Sequence, residues 1–257
     1  MKITLIGSGN VATHLGKAFH AAGHEIIQVW SREYDHAEEL ASQTGAEPIN
    51  KLELLHTYAE VYILAVSDDA LYDFAIDLRL RDALVLHTAG SVPMSILRNI
   101  SRKHGVLWSP QTFIRQNDMD YSQLPFCIEG VTADVEEQIR TLAKTVSPLV
   151  YRVDSQQRQW LHLAAVVVNN FGNAINAIAS DITTSHGIPF EILHPLLTMT
   201  AEKIKHGDLW QQQTGPARRQ DQKTIDRHRR MIADDNELLT LYDTLTDIIQ
   251  QRTQNRR

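Results

Sequence analysis

Short apolar runs recur along the first part of the chain and alternate with amphipathic segments of helical spacing. Runs that are apolar on both faces predict strands of a parallel sheet that is covered on both sides. The predicted strands are 2–6, 25–30, 61–66, 83–87, 105–109 and 125–129, and the predicted helices are 11–22, 34–44, 70–78, 94–103 and 135–146. This alternation predicts an α/β fold with a doubly wound parallel sheet.

The pattern changes near Val153, after which only helical spacing is found. Asp154 or Ser155 can cap a long helix there. The predicted helices of this part are 157–185, 190–205, 221–233 and 236–251. We therefore predict a Rossmann domain over residues 1–153 and an all-helical domain for substrate binding and dimerisation over residues 154–257.

The first strand runs directly into a glycine-rich turn and then into a helix. The turn is Gly7-Ser8-Gly9-Asn10-Val11-Ala12, a G-x-G-x-x-A dinucleotide-binding pattern. Gly7 permits the tight turn, Gly9 lets the backbone approach a pyrophosphate, and Ala12 lets the helix pack closely. The start of the helix offers unpaired N–H groups to phosphates. These six residues predict a nucleotide site; a purely structural glycine turn is the alternative.

The end of the second predicted strand indicates which nucleotide is bound. NAD sites usually carry Asp or Glu there, roughly 20 residues past the glycines. This strand ends in Trp30-Ser31-Arg32, and Glu33 lies one step beyond. Arg32 can bind a 2′-phosphate and Ser31 can donate to it, which predicts NADP as the cofactor. The alternative is that Arg32 is an ordinary solvated side chain.

The ends of two later strands are further candidate positions for cofactor or substrate contacts, because ligands bind at the carboxyl ends of parallel strands. Ser67 and Asp68 either contact the cofactor ribose or cap the next helix. His87 is either a catalytic group or a histidine satisfied by packing. The cofactor contacts predicted at these two ends are Val66, Ser67, Asp68, Thr88, Ala89 and Gly90.

Composition narrows the classes of function. The 257 residues are 43% apolar with a formal net charge of −6, so neither nucleic acid nor an anionic membrane is an expected partner. Cys127 is the single cysteine, and the histidines lack metal-binding spacing, so no metal is expected. The longest apolar run, 163–168, is too short to span a bilayer, and no segment resembles a signal peptide. We expect a cytoplasmic protein.

Motifs spread over nearly the full length resemble a known superfamily. They are Gly7 to Ala12, Ala65 to Ala70, His87 to Ser91, Pro110 to Phe113, His162 with Ala164 and Ala165, Asn169, and Thr214-Gly215-Pro216 with Arg219 and Asp221. The N-terminal half resembles the 6-phosphogluconate, 3-hydroxyacid and prephenate dehydrogenases, pyrroline-5-carboxylate reductase and the deazaflavin-dependent NADP reductases. The whole chain most resembles a bacterial group of Rossmann-like proteins with a C-terminal helical domain of unknown function, often called NADP oxidoreductases.

Two segments depart from this family pattern. Relatives often carry His or Tyr ahead of the Gln-Thr-Phe element, where this chain has Trp108-Ser109-Pro110. They also often read Arg-Gly-Asp where this chain reads Arg219-Gln220-Asp221. The first departure argues against proton transfer by that loop.

The resemblance implies that substrate lies between the cofactor domain and the first long helix, where relatives commonly use a Lys with an Asn one turn later. The matching segment, 162–173, has no lysine but carries His162, Asn169 and Asn173, which are offset by seven and four residues and share one face of a regular helix. Such groups are costly to bury unpaired, so they favour a cleft. We predict that His162 donates a proton while Asn169 and Asn173 orient the substrate. The alternative is a buried network that fixes helix packing.

Four more residues are candidate substrate contacts. Gln111 and Thr112 lie in a matching segment, and Arg218 and Arg219 can clamp a carboxylate or remain solvated. The sequence thus predicts an NADP-dependent oxidoreductase for a small carbonyl, imine or hydroxy acid bound between the domains, and a homodimer formed through the helical domain. The alternative is a non-catalytic NADP-binding sensor or scaffold.

Overall fold

The computed structural model of the chain describes residues 1–254. Contacts between Cα atoms divide the chain into two compact units, Met1–Ala174 and Ile175–Arg257. The last strand ends at Arg152, and the regular elements from there to residue 254 are all helical, as the change of pattern near Val153 predicts. The first unit nevertheless extends through the start of the long helix, and the division at 153/154 stays a prediction.

An eight-stranded sheet forms the first unit. Its strands are β1 (Lys2–Ile6), β2 (Glu25–Trp30), β3 (Glu47–Ile49), β4 (Val61–Leu64), β5 (Leu84–His87), β6 (Lys103–Trp108), β7 (Phe126–Gly130) and β8 (Val150–Arg152). The strand order is β3-β2-β1-β4-β5-β6-β7-β8. This arrangement confirms the predicted doubly wound fold. The three-residue strands β3 and β8 are missed by the sequence patterns, because such short edges carry no readable periodicity.

The sheet is parallel except where β7 pairs with β6 in the antiparallel sense. The prediction of an all-parallel sheet is therefore wrong at this one pair. The reason lies in the connecting segment, 109–125, whose regular structure is a single 3₁₀ turn at Tyr121–Gln123. A parallel return requires a crossover, usually a helix, whereas an antiparallel return does not.

Helices cover both faces of the sheet: α1 (Asn10–Ala21), α2 (Tyr34–Thr44), α3 (Asp68–Asp77) and α4 (Ala133–Lys144). The prediction of a helix at 94–103 is wrong in the second half of that range. A 3₁₀ helix covers Met94–Asn99, and β6 already begins at Lys103. The hydroxyl oxygen of Ser101 accepts the N–H of Lys103 at 3.0 Å, and such a side-chain bond competes with helix continuation.

The core consists of two apolar layers, one on each face of the sheet. Alternate residues of β4 divide between them: Val61 and Ile63 belong to one layer, while Tyr62 and Leu64 belong to the other. Because successive side chains of a strand point to opposite faces, both layers are filled from the same strands. The two-sided apolar runs of the sequence thus predict the core correctly.

A long helix follows β8 and is interrupted by a π-helical turn. It comprises α5 (Ser155–Ala165), the π-helical segment Val166–Phe171 and α6 (Gly172–Ser185). Asp154 caps it, and Asp154 and Gln157 form a reciprocal capping box. Of the helices in the described residues, Ser155–Ser185 alone is long and apolar enough to cross a membrane by length and composition.

A buried ion pair fastens the start of α5 to the sheet. Arg158 is 1% exposed and donates to a carboxylate oxygen of Glu129 on β7 at 2.7 Å. It also donates to the carbonyl oxygen of Val92, at 2.7 Å. Ser155 donates to the same Glu129 oxygen at 2.7 Å. This network fixes the helix that carries His162 against the sheet.

The regular structure of the second unit is helical in the residues that the structure describes. Beyond the end of α6 it contains a 3₁₀ turn (Phe190–Leu193), α7 (His194–Ile204), α8 (Gly215–Arg219), α9 (Gln222–Met231) and α10 (Asn236–Gln254). Gly187 adopts φ +68° just past α6, as expected for a glycine that ends a helix. Arg229 on α9 pairs with Asp243 on α10 at 2.7 Å, which links these two helices.

Candidate active site

The turn between β1 and α1 requires its first glycine. Gly7 has φ +119°, and a Cβ built there would lie 2.2 Å from the carbonyl oxygen of Ala65. The N–H of Gly7 donates to the carbonyl oxygen of Trp30 at 2.8 Å. The turn is therefore held tightly against the ends of β2 and β4, where any side chain would clash.

Gly9, by contrast, faces open space. A Cβ built on Gly9 would meet no described atom within 4 Å. Gly9 is the N-cap of α1, and no side chain of the described residues caps this helix. The first turn of α1 therefore presents N–H groups and its positive dipole end without a protein acceptor. Such an end fits the diphosphate of a dinucleotide.

A cleft of about 710 Å³ opens in front of this turn. It follows the carboxyl ends of β1, β2, β4 and β5 and brings together the predicted cofactor residues from four separate segments. Those that line it are Gly7, Ser8, Gly9, Asn10, Val11, Ser31, Arg32, Val66, Ser67, Asp68, Thr88, Ala89 and Gly90. Ala12 does not line the cleft, because it is fully buried where α1 packs on the sheet.

The end of β2 forms one wall of the cleft. Ser8 donates a hydrogen bond to the buried hydroxyl of Ser31 at 2.9 Å, which ties the glycine turn to this wall. Arg32 is exposed at the rim. The rings of Trp30 and Phe74 meet edge to face with centroids 5.2 Å apart and close the bottom. This end of the cleft therefore combines aromatic side chains with an exposed arginine.

Helix α3 forms the opposite wall and contributes carboxylates. Ser67 caps this helix by accepting a backbone N–H at 3.4 Å, so the capping role is present whether or not its hydroxyl meets a ligand. Asp68 accepts a hydrogen bond from the hydroxyl of Ser91. Asp73 and Asp77 line the cleft further along the helix. Arg32 is the one cationic side chain among the described residues that line the cleft.

His87 lies beneath the cleft and not in it. Its ring is fully buried, and its Nδ1 accepts the N–H of Ala89 at 3.2 Å. Burial, reinforced by the nearby charge of Arg158, lowers the pKa of His87 to about 3. A neutral, buried imidazole that bonds the following loop supports the packing interpretation over the catalytic one, because it gives substrate no access.

His162 lies next to Gly90, in the loop that follows β5. A Cβ built on Gly90 would lie 2.9 Å from His162 Nδ1, so the glycine leaves room for the imidazole. The ring of Trp108 lies edge-on to His162 with centroids 6.0 Å apart. His162 is half-buried, and neither ring nitrogen bonds another described residue. An unpartnered imidazole beside the cleft can hold and donate a proton.

The side chain of Asn169 has a hydrogen-bond partner in the first unit, whereas that of Asn173 has none among the described residues. The side chain of Asn169 donates to Thr112 Oγ1 at 2.8 Å. Asn169 lies inside the π-helical segment Val166–Phe171, which changes the angular spacing between His162 and Asn173. The shared face predicted from regular helical spacing is therefore not kept. Asn173 is exposed and bonds no other described residue.

The other predicted substrate contacts divide between the two units. Gln111 lies beside Thr88 and Trp108 in a small cavity of about 90 Å³, close to the same strand ends. Arg218 and Arg219 lie in the second unit, in the last turn of α8. Their roles stay predictions, as do those of Gln111, Thr112 and the cofactor residues.

Sequence reasoning missed two residues next to the glycine turn. His14 on α1 is 1% exposed, and its Nε2 donates to the carbonyl oxygen of Ile114 at 2.9 Å. Arg115 donates to the carbonyl oxygen of Ser8 at 2.5 Å. A histidine inside the apolar stripe of α1 was a readable signal, whereas nothing near Arg115 in the sequence marks its partner. Among the residues that the structure describes, no group of His, Cys, Asp or Glu could hold a metal ion.

Comparison with known families agrees with this geometry. Residues 2–90 match the family described as "NADP oxidoreductase coenzyme F420-dependent". Residues 124–249 match a domain of unknown function, DUF2520. Among curated protein sequences, none matches the chain.

The chain also resembles several solved structures. A protein from Bacteroides fragilis, described as a "putative NADP oxidoreductase", is 38% identical over 97% of this chain and 98% of its own, with a TM-score of 0.89. An imine reductase from Myxococcus stipitatus in complex with NADP⁺ is 16% identical over 99% and 95%, with a TM-score of 0.68. Pyrroline-5-carboxylate reductase from Streptococcus pyogenes is 14% identical over 98% of both chains, with a TM-score of 0.65. The last two likenesses show a shared fold alone.

Proposed function

This chain belongs to the NADP oxidoreductase family of the Bacteroides fragilis protein, and on that premise we propose that it is an NADP-dependent oxidoreductase acting on a small carbonyl, imine or hydroxy-acid substrate. The observation that carries the proposal is the unpartnered imidazole of His162 at the end of a dinucleotide cleft. When bound, the nicotinamide supplies or accepts the hydride. The chain contributes binding, orientation and a proton.

The glycine turn is proposed to hold the cofactor diphosphate. The uncapped start of α1 and the open space at Gly9 support this assignment, because both leave backbone N–H groups free for an anion. Arg32 and Ser31 are proposed to hold the 2′-phosphate, since no carboxylate stands at the tip of β2 to bind a ribose diol.

His162 is proposed to donate a proton to the substrate oxygen or nitrogen as the hydride arrives at the neighbouring carbon. Its Nδ1 edge faces Gly90, so Nε2 is the nitrogen turned away from that loop. Asn169, held by Thr112, is proposed to orient the substrate by a hydrogen bond. A neutral acceptor that receives both hydride and proton leaves as the reduced amine or alcohol, and the reverse reaction uses His162 as the base.

The direct test has two stages. Calorimetry with NADPH and NADH should show tight binding of NADPH and weaker binding of NADH. Oxidation of NADPH should then be followed with a panel of small ketones, 2-oxo acids and cyclic imines. Absence of NADPH binding would overturn the proposal at its first stage.

A non-catalytic NADP-binding sensor or scaffold is the second candidate. It is favoured by the segment Trp108-Ser109-Pro110, where relatives often carry His or Tyr, and by the missing lysine on the long helix. Tight NADPH binding without turnover on the whole panel would select this alternative.

We also propose a cytoplasmic homodimer whose interface includes the long helix. Val168 is 79% exposed, Trp160 68% and Phe171 55%, although all three are apolar or aromatic. An apolar surface of this kind marks an interaction site, and a second copy of the chain is the occupant we propose. Val168→Glu should yield a monomer by light scattering, whereas Ile76→Glu, at an exposed position on α3, should not. Binding to lipid vesicles by a monomeric wild-type protein would overturn this assignment.

A further inference from the structure

The connection between β6 and β7, residues 109–125 (the connecting loop), contacts both halves of the candidate site. Near its start, Thr112 accepts the side-chain N–H of Asn169 at 2.8 Å. Three residues further on, Arg115 donates to the carbonyl oxygen of Ser8 in the glycine turn at 2.5 Å. One short segment thus joins the turn proposed to hold the diphosphate to the residue proposed to orient the substrate.

The contact with Ser8 determines the direction of a neighbouring N–H. The carbonyl of Ser8 and the N–H of Gly9 belong to one peptide unit, which is planar and trans, so the two groups point in opposite directions. Arg115 does not line the cleft, whereas Gly9 does. By holding the Ser8 oxygen from behind, Arg115 therefore turns the Gly9 N–H toward the side where a diphosphate would bind.

The guanidinium of Arg115 is itself held in place. It pairs with the carboxylate of Glu39 on α2 at 2.6 Å, and its side chain is 26% exposed. A guanidinium that donates to a carboxylate and a carbonyl at once has little freedom to reorient. Its positive charge behind the turn also favours an anion in front of it.

The connecting loop is fastened to α1 as well. Buried His14 donates from Nε2 to the carbonyl oxygen of Ile114 at 2.9 Å, and its Nδ1 shares a hydrogen bond with Tyr121 Oη at 3.1 Å. Since a carbonyl can only accept, Nε2 carries a proton. The helix that begins at the glycine turn and the connecting loop are therefore expected to move together.

From these contacts we infer that Arg115 is a positioning residue for the cofactor turn, and that the connecting loop transmits cofactor binding to Asn169. The inference rests on the proposed function, because it concerns the same nucleotide. Binding of NADPH to an ordered Gly9 N–H restrains the Ser8 peptide, and through Arg115 it restrains Thr112 and its partner Asn169. By linkage, the ordered connecting loop strengthens NADPH binding in return.

The first experiment measures NADPH affinity by calorimetry. Arg115→Met should weaken binding about tenfold, because the Gly9 N–H is no longer held toward the cleft, and Arg115→Lys should recover part of the affinity. Glu39→Gln should weaken binding less, because it only loosens Arg115. Arg98→Met, at an exposed position away from the site, should bind as the wild type does. Wild-type affinity in Arg115→Met would overturn the inference.

The second experiment separates positioning from general stability by hydrogen exchange with and without NADPH. In the wild type NADPH should slow exchange of amides 111–116 and 166–171. Thr112→Val should weaken NADPH binding less than Arg115→Met does, and it should keep the protection of 111–116 but lose that of 166–171. Identical NADPH-induced protection in Arg115→Met and the wild type would overturn the coupling. A wild type that binds no NADPH would instead refute the proposed function.

Discussion

The imidazole of His162 stands edge-on to the indole of Trp108, with ring planes at 77° and centroids 6.0 Å apart. The same imidazole lies over Gly90, where any Cβ would come within 2.9 Å of Nδ1. These two contacts restrict the positions that the imidazole can adopt. His162 is therefore held at the end of the cleft by packing while its nitrogens stay unbonded to the described chain.

We expect His162→Asn to lower kcat about 100-fold to 10,000-fold while NADPH affinity stays at the wild-type value. The reason is that general acid catalysis typically contributes a factor of this size, whereas the imidazole is not proposed to hold the cofactor. Steady-state kinetics measures the change in kcat, and calorimetry measures the affinity for NADPH. His36→Asn, on the exposed surface of α2, is the matched control. An unchanged kcat would remove His162 from the proposed reaction.

Substitution of Gly7 should lower the stability of the protein, whereas substitution of Gly9 should lower its affinity for NADPH. Gly7→Ala forces a Cβ onto the Ala65 carbonyl at φ +119°, so the free energy of unfolding should drop by about 3 kcal/mol or more. Gly9→Leu places its side chain in open space, so stability should change by less than about 1 kcal/mol, while NADPH affinity falls at least tenfold. Urea unfolding and calorimetry distinguish them. Unaltered nucleotide affinity in Gly9→Leu would refute the diphosphate assignment.

Arg32 should decide the preference for NADPH over NADH. Arg32→Ala is expected to weaken NADPH binding about tenfold to a hundredfold, the value of a hydrogen bond to a charged group, and to leave NADH binding nearly unchanged. Titration of both nucleotides measures the ratio. Arg98→Met serves as the control for loss of one surface charge. Equal losses for the two nucleotides would show that Arg32 does not contact the 2′-phosphate.

His87 should make stability depend on pH. Burial and the charge of Arg158 lower its pKa to about 3 in the folded chain, against about 6.5 when unfolded. The unfolded state therefore binds a proton that the folded state does not, and the free energy of unfolding should fall as pH drops below about 6.5, by up to about 1.4 kcal/mol per unit. Above that pH the ring is neutral in both states.

The His87 contribution can be isolated by comparison with His87→Gln, which bears no titrating group. The difference in free energy of unfolding between the two proteins should narrow as pH falls from 7 toward 5. Urea unfolding at several pH values measures it. A difference that stays constant over this range would show that the buried ring does not titrate on unfolding.

Much of this architecture follows from local sequence. The two-sided apolar runs predict six of the strands, and the glycine turn predicts the cleft, because both depend on residues a few positions apart. Of the two predicted caps for the long helix, Asp154 and Ser155, the structure has Asp154. The missed features are of another kind. Strands β3 and β8 are too short for a pattern, and β7 reverses direction through a segment that lacks a crossover helix.

Some features of the candidate site likewise follow from local sequence, whereas others depend on the tertiary structure. The sequence by itself determines to within two residues which side chains stand at the ends of the six predicted strands, since apolar periodicity indicates where each strand stops. Only the tertiary structure decides that Arg115 meets Ser8 across 107 positions and that Asn169 meets Thr112 across 57. It also decides that His87 is buried while half-buried His162 lies against Gly90. Such pairings depend on the path of the whole chain, and no short-range pattern of polar and apolar residues encodes that path.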